Sequence, residues 1–356
     1  MRPRTLIVLV VLGIVALGGG WYLGVATAPT PAPVSTAGTL MFPGLAPRLQ
    51  SATKVEIVHQ DKPLAIERNS NGAWGLADRG GYPVQETKLR AMLTALTELR
   101  VIEPRTSDPT QYAQLGVEDP HGKDSNSNLL QVLDSSGKPI VSVIVGHRRV
   151  RTQGNVPEQV YVRRPDETQS WLAEGSLSAD ADAQLWIERD IMNIDHGRIA
   201  TVTSVRGDTT LEFVRDGDKL VLRTPADHPK LDDYRVEDVS RALELLTLQD
   251  VHKTDEKALE QAGHSVFATN DGLSVTATAF RAPKESAKPG AEPDFFVRFE
   301  VAGADKAKPE ADRLAAKVAG WTYQLGGWKE KSLVPSVNDL KATEPPAPAA
   351  AAPAKP

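Results

Sequence analysis

Seven histidines, His59, His121, His147, His196, His228, His252 and His264, are the side chains best suited to bind a metal or move a proton at neutral pH. None has a second histidine three or four residues away, so no helix can present a metal-binding pair. Asp180 and Asp182 have the spacing that opens a calcium loop, but the rest of the loop is missing, and the pair reads as turn and helix-cap residues. A serine nucleophile would sit on a Gly-x-Ser-x-Gly elbow; "AGHSV" (Ala262 to Val266) and "AEGSLS" both lack that frame. A phosphate-cradling glycine loop with its lysine is absent, as is a dinucleotide fingerprint. With no cysteine in the chain, disulfides, thiolate catalysis, cysteine-bound zinc, iron–sulfur clusters and a lipidated N-terminal cysteine are excluded. The sequence therefore assigns no catalytic residue, no metal ligand and no cofactor-binding residue, and the chain is expected not to be an enzyme.

Binding chemistry is nearly as sparse. "GHRRVR" (Gly146 to Arg151) is the one dense basic stretch, and in a chain of net charge -5 it reads as a solvated strand end. The same charge balance argues against nucleic acid, whose binding needs clustered Lys and Arg. Trp74, Trp171, Trp186, Trp321 and Trp328 could stack on a sugar, but their strand and helix phases place them in a core.

The elements around these residues repeat. At an offset of 147, Val55, Val58, Leu64, Ile66 and Arg68 fall on Val202, Val205, Leu211, Phe213 and Arg215, at alternating positions of two short strands. Turn residues follow in each, Asn69 to Gly72 and Asp216 to Asp218, and then a third strand, Ala73 to Leu76 and Lys219 to Leu222. At an offset of 150, Leu89, Met92, Leu93 and Leu96 fall on Val239, Ala242, Leu243 and Leu246, one apolar face of a helix in each copy, closed by Val101 and Val251. Gln114-Leu115-Gly116 then matches Gln261-Ala262-Gly263. Strands are expected over Leu129 to Leu133 and Ile140 to Val145 in the first copy, and over Leu273 to Phe280 and Phe295 to Val301 in the second. Each copy is expected to close on a hairpin, Tyr161 to Trp171 and Tyr323 to Trp328, the latter turning on Gly326-Gly327. Asp182 to Ile194 reads as a short helix joining the copies. Arg281 to Asp294 reads as a loop and Ala302 to Lys317 as a partly helical insertion.

The ends carry other information. Arg2 and Arg4 precede an uncharged run from Leu6 to Ala28, longer than the apolar core of a secretory signal and in the range of about 17–25 residues that spans a bilayer. The arginines should stay cytoplasmic, which leaves the bulk outside. Ala26-Thr27-Ala28 also resembles a cleavage site, so a cleaved signal peptide is the rival reading. The Pro-rich stretch after Ala28 should be extended, and the Ala/Pro-rich end should stay outside any core.

The fold expected is α+β: two tandem copies of an antiparallel sheet packed by one main helix, preceded by a single N-terminal transmembrane helix. The segments are residues 1–28 as signal anchor, 29–44 as linker, 45–195 and 196–342 as the two repeats, and 343–356 as a disordered tail. Within this frame the export segment, "NGAWGL", "YAQLGVEDP" (Tyr112 to Pro120) and "VYVRRPDETQSWLA" (Val160 to Ala173) resemble the domain of unknown function 4340 family. The similarity spans roughly residues 45 to 270, and "EQAGHS" departs from "AQLGVEDP" in the second copy. The resemblance implies an envelope protein often encoded beside gliding-motility-type ABC transporter components, and it supplies no catalytic residue. The expected function is a non-catalytic, membrane-anchored module of the bacterial inner membrane. It would be single-pass with its C-terminal bulk in the periplasm, and would bind protein partners, ABC transporter components among them. The alternative is an extracytoplasmic enzyme or glycan-binding protein whose site is assembled from scattered residues.

Overall fold

The strand patterns read from the sequence build two large antiparallel sheets in the computed structural model, which describes residues 38–149, 157–254, 259–283 and 293–342. The architecture is α+β. The proposed membrane helix falls within residues 1–37 and the tail within 343–356, both outside the described residues, as are residues 150 and 151 at the end of the basic stretch and 284–292 of the expected loop. Among the described residues no helix is long and apolar enough to cross a membrane.

The first sheet holds β1 (Thr39–Leu40), β2 (Ala52–His59), β3 (Lys62–Arg68), β4 (Trp74–Leu76), β5 (Tyr82–Pro83), β6 (Arg100–Pro104), β7 (Asn128–Asp134), β8 (Pro139–Arg149), β9 (Gln159–Arg163) and β10 (Ser170–Glu174). Their order across the sheet is β1-β6-β10-β9-β8-β7-β2-β3-β4-β5. A small pair follows, β11 (Asp190–Met192) with β15 (Leu246–Thr247). The second sheet holds β12 (Ile199–Arg206), β13 (Thr209–Asp216), β14 (Lys219–Thr224), β16 (Asp250–Lys253), β17 (Glu260–Thr269), β18 (Leu273–Arg281), β19 (Phe295–Gly303) and β20 (Trp321–Leu325). Read from its other edge, its order is β16-β20-β19-β18-β17-β12-β13-β14, which matches the first sheet strand for strand from β6 to β4. The main helices are α1 (Glu86–Glu98), α2 (Asp233–Ser240) and α3 (Lys308–Val318).

Period-2 burial carries the sheets. Val55 and Ile57 of β2 point inward with Leu64 and Ile66 of β3, and Val202 of β12 with Leu211 and Phe213 of β13. Gly217, at φ 60, makes the two-residue turn that pairs Asp216 with Lys219. α1 buries Leu89, Met92 and Leu96, with Leu93 half-buried on the flank. A single apolar cluster runs through both sheets. The loop after β4 docks on the second sheet: Tyr82 lies edge-on to Trp321 at 4.9 Å, and Arg79 Nε donates to Asp250 Oδ1 at 2.8 Å.

Five expectations change. The second copy's helix stops at Ser240, and a 3-10 turn, Arg241–Leu243, hands the chain to β15 through Leu245 at φ 45. All four predicted face residues are buried, but Leu246 gets there as a strand, because its backbone is needed beside β11. Asp182 to Ile194 is not a helix. It makes one 3-10 turn, after which Trp186 and Ile187 enter the core and their backbone pairs with the start of α1, Gln85 N–H donating to Trp186 O at 2.8 Å. Gln114-Leu115-Gly116 ends a short helix, whereas Gln261-Ala262-Gly263 lies in β17, where alternate residues are buried. The partners of β7 and β8 in the strand order are consequently β17 and β18, one strand earlier than the sequence offset suggested. Finally, the hairpin expected between Tyr323 and Trp328 does not form: Tyr323 lies in β20, which pairs with β19 and β16, and β19 reaches β20 through α3, in the stretch expected to be partly helical. Gly326-Gly327 opens a 3-10 turn, and Trp328 is 68% exposed there instead of buried. The sheet also starts earlier than the linker boundary allowed: Thr39 pairs with Val101, and Met41 is buried.

Candidate functional site: a groove beside the last strand of the second sheet

β14 ends the second sheet, and α2 crosses beside it. Alternation turns Leu220 and Leu222 inward while Lys219 and Arg223 face water. α2 starts where the Asp232 side chain accepts the Tyr234 N–H at 2.9 Å, with Asp233 in the first turn favoured by the helix dipole. The segment before α2 is pinned from outside the sheet: Leu231 bridges to Lys341, and Asp232 N–H donates to Leu340 O at 2.9 Å.

Between these elements opens a cavity of about 610 Å³. Leu220, Leu222, Leu231 and Val236 make it mainly apolar, and both cationic and acidic side chains ring it, Lys219, Lys230 and Arg241 with Asp218, Asp233 and Glu237, beside His196, His228 and Tyr234. Tyr234 is 82% exposed on this rim. Apolar walls with a few polar groups at the mouth suit capture of an apolar group with orientation set at its edges.

Glu237 holds the groove's shape. Its Oε2 accepts the Leu220 N–H at 2.9 Å, and its Oε1 accepts from Ser240 Oγ at 2.8 Å and Arg215 Nη1 at 3.2 Å. Burial pushes the carboxyl up, but these donors outweigh it and hold Glu237 below its ordinary value of 4.5. A depressed carboxyl contributes stability that is complete above the ordinary value and lost as pH falls through the folded one. Glu237→Gln is therefore expected to cost about 1 kcal/mol or more at pH 7, since bonds to charged groups are the strong ones. Its deficit against the parent should close as pH drops below 4.5. Melting curves from pH 3 to 7 check this, and a deficit independent of pH would contradict the assignment.

Beside the groove the fold assembles what residue spacing could not show. Asp195, His196 and Glu244 bring ligand-type atoms within 4.8 Å of one another. Asp195 Oδ1 is committed to the Gly197 N–H at 2.8 Å. His196 Nδ1 lies 3.2 Å from Glu244 Oε2 but off hydrogen-bond alignment. Arg241 Nη2 reaches His196 Nε2 at 3.3 Å, and its Nη1 lies 3.6 Å from Glu244. The Arg241 guanidinium thus already supplies positive charge at this cluster, which makes it a poor fit for a cation. Sequence reading missed it because Glu244 comes from beyond the 3-10 turn that follows α2, and the only signal was the acidic neighbour of a histidine.

The other candidates disperse. His59 Nδ1 lies 2.9 Å from Ser127 O, His121 pairs with Asp61 at 2.7 Å, and His252 lies against Phe296. Asp182 caps Gln184 N–H. Ser265 is buried in β17 opposite Ser204 of β12, out of reach of a substrate. Arg148 pairs with Glu158 at 2.6 Å. Trp186 is fully buried, Trp321 nearly so, and Trp74 and Trp171 pack partly exposed. The two longest family-like stretches meet each other. Buried Arg163 donates to Val117 O at 2.9 Å and to Asp119, and its guanidinium covers the Tyr112 ring at 4.6 Å. Those motifs are a latch between β9 and the segment before β7, with the charge consumed internally.

A family model described as "Domain of unknown function (DUF4340)" matches residues 74–263, more than half of the chain. No curated protein and no solved structure matches it.

Proposed function

The chain belongs to the domain of unknown function 4340 family, and from that premise we propose that it is a non-catalytic, membrane-anchored envelope module that binds protein partners. Family membership supports an accessory role in an ABC-transporter-like complex of the gliding-motility type. The apolar run from Leu6 to Ala28 behind Arg2 and Arg4 supports a single-pass inner-membrane anchor with the bulk in the periplasm. We read the two sheets as tandem copies of one module. What supports this is their shared strand order and the matched Arg68 and Arg215, which stand opposite Trp74 and Leu220.

The observation that carries the binding reading is the groove beside β14: apolar inside, at a sheet edge, with Glu237 engaged in shaping it. Sheet edges and apolar grooves recognise polypeptide. The groove brings no nucleophile and base within hydrogen-bond reach of each other, which is what turnover would need. Photocrosslinking from Tyr234 in intact envelopes is the test. The expected result is a discrete protein adduct that is absent when the crosslinker sits at exposed Arg90. No adduct in the native envelope, together with hydrolysis of an envelope polymer by the purified protein, would give the site to an enzyme instead.

A further inference from the structure

The two sheets end differently at matching strands. At the edge of the first, β4 is covered: β5 pairs with it through Gly75 with Pro83 and Leu76 with Tyr82, and Val84 N–H donates to Trp74 O at 3.3 Å. The Trp74 ring lies under Arg68 at 6.0 Å, and the cavity left beside α1 is about 270 Å³. At the edge of the second, Leu220 holds the place of Trp74, and no strand among the described residues pairs with the outer side of β14. The chain that follows, which in the first copy forms β5, turns away to bridge Lys341. The cavity there is about 610 Å³. Relative to the first sheet, then, the second lacks both a strand and an aromatic ring, at one spot.

Resting on the binding reading above, we infer that this groove seats an extended segment of a partner protein that carries an aromatic residue and a neighbouring carboxylate. The segment lies along β14 as β5 lies along β4. Its backbone meets the free side of the strand next to Leu222, where the edge is not already taken by Glu237. Its aromatic ring fills the space that Trp74 fills in the first copy, against Leu220, Leu231 and Val236, and large apolar area in a preformed pocket is what aromatics contribute. The carboxylate answers Lys230, which lines the groove and forms no ion pair among the described residues, whereas Lys219 is held by Asp233 at 3.0 Å.

The test uses the full chain in detergent and a labelled synthetic probe, Thr-Glu-Thr-Trp-Thr-Glu-Thr, read by fluorescence anisotropy. The Trp probe should bind, and the probe with Ala in place of Trp should bind at least about tenfold more weakly. Leu220→Trp should refill the groove as the first copy does and weaken binding by about tenfold or more, with an unchanged melting temperature. If that variant folds poorly, Lys230→Glu, on the rim, should still weaken binding severalfold and restore it for a probe with Lys in place of Glu. Equal binding of the Trp and Ala probes, or full binding by folded Leu220→Trp, would overturn the inference. So would probe binding that appears only after residues 343–356 are removed, which gives the groove to the chain's own end. A dimer that Leu220→Trp dissociates would give it to a second copy. Photocrosslinking separates the levels: protein adducts that persist in Leu220→Trp leave the binding module standing while this occupant falls.

Discussion

Tyr82→Ala is expected to destabilise the protein by about 3–5 kcal/mol, the range for removing a buried aromatic ring. Tyr82 is 2% exposed although it sits at the end of the first sheet, because its ring is buried against the second. It stands edge-on to Trp321 at 4.9 Å and to Tyr323 at 6.2 Å. Edge-to-face pairs add to the area burial itself. Nothing nearby can collapse into the gap cheaply, since Trp321 is also held under Lys253 at 3.8 Å and Tyr323 is wholly buried. The substitution should also change the shape of unfolding. With the ring gone, this part of the contact between the sheets is left to the bidentate pair of Arg79 with Asp250. That ion pair is still 24% exposed at Arg79 and 20% at Asp250, and it contributes far less than a buried aromatic ring. Denaturation followed by fluorescence and by circular dichroism should separate into two transitions, where the parent should show one. A loss below about 1 kcal/mol with coincident transitions would mean that the sheets do not depend on this contact.

Leu243→Asp should cost more than about 3 kcal/mol, because it places a charge without a partner in a fully apolar site. Leu243 is 0% exposed, and its carbonyl accepts the Ile194 N–H at 3.1 Å, so neither side chain nor backbone can swing outward. Leu93→Asp, at the matching position of α1, should cost less, because Leu93 is half-buried and its carboxylate could reach water. Arg90→Ala should stay within about 0.5 kcal/mol, as Arg90 is exposed and its ion pair with Glu86 is long, at 3.9 Å. Glu244→Ala should cost more than Arg90→Ala, because its carboxylate lies 3.6 Å from the Arg241 guanidinium and 3.2 Å from the His196 ring, and removing it takes away the acidic partner of Arg241. Urea melts of the four variants order them, and a Leu243→Asp protein as stable as Arg90→Ala would refute the packing described.

What the sequence determined by itself was the local period. Alternating residues at Val55, Ile57, Leu64 and Ile66, and at Val202, Leu211 and Phe213, could bury one face only as strands, and they do. Leu89, Met92 and Leu96 could share a face only as a helix. The turn at Gly217 was legible because glycine adopts the positive φ of a two-residue loop at no steric cost. Wherever the backbone had a distant partner, the period misled. Leu246 continued a helical face in sequence, but β11 claimed its backbone; Trp186 sat in a helix-like stretch, but the start of α1 claimed its carbonyl. The groove was invisible for the same reason. Its emptiness comes from a Leu where the first copy has Trp74, and from a segment that pairs with Lys341, more than a hundred residues away, instead of with β14. Sequence periodicity reports which side of an element faces the core. Which element covers an edge is settled by long-range pairing, whose free energy no local window contains.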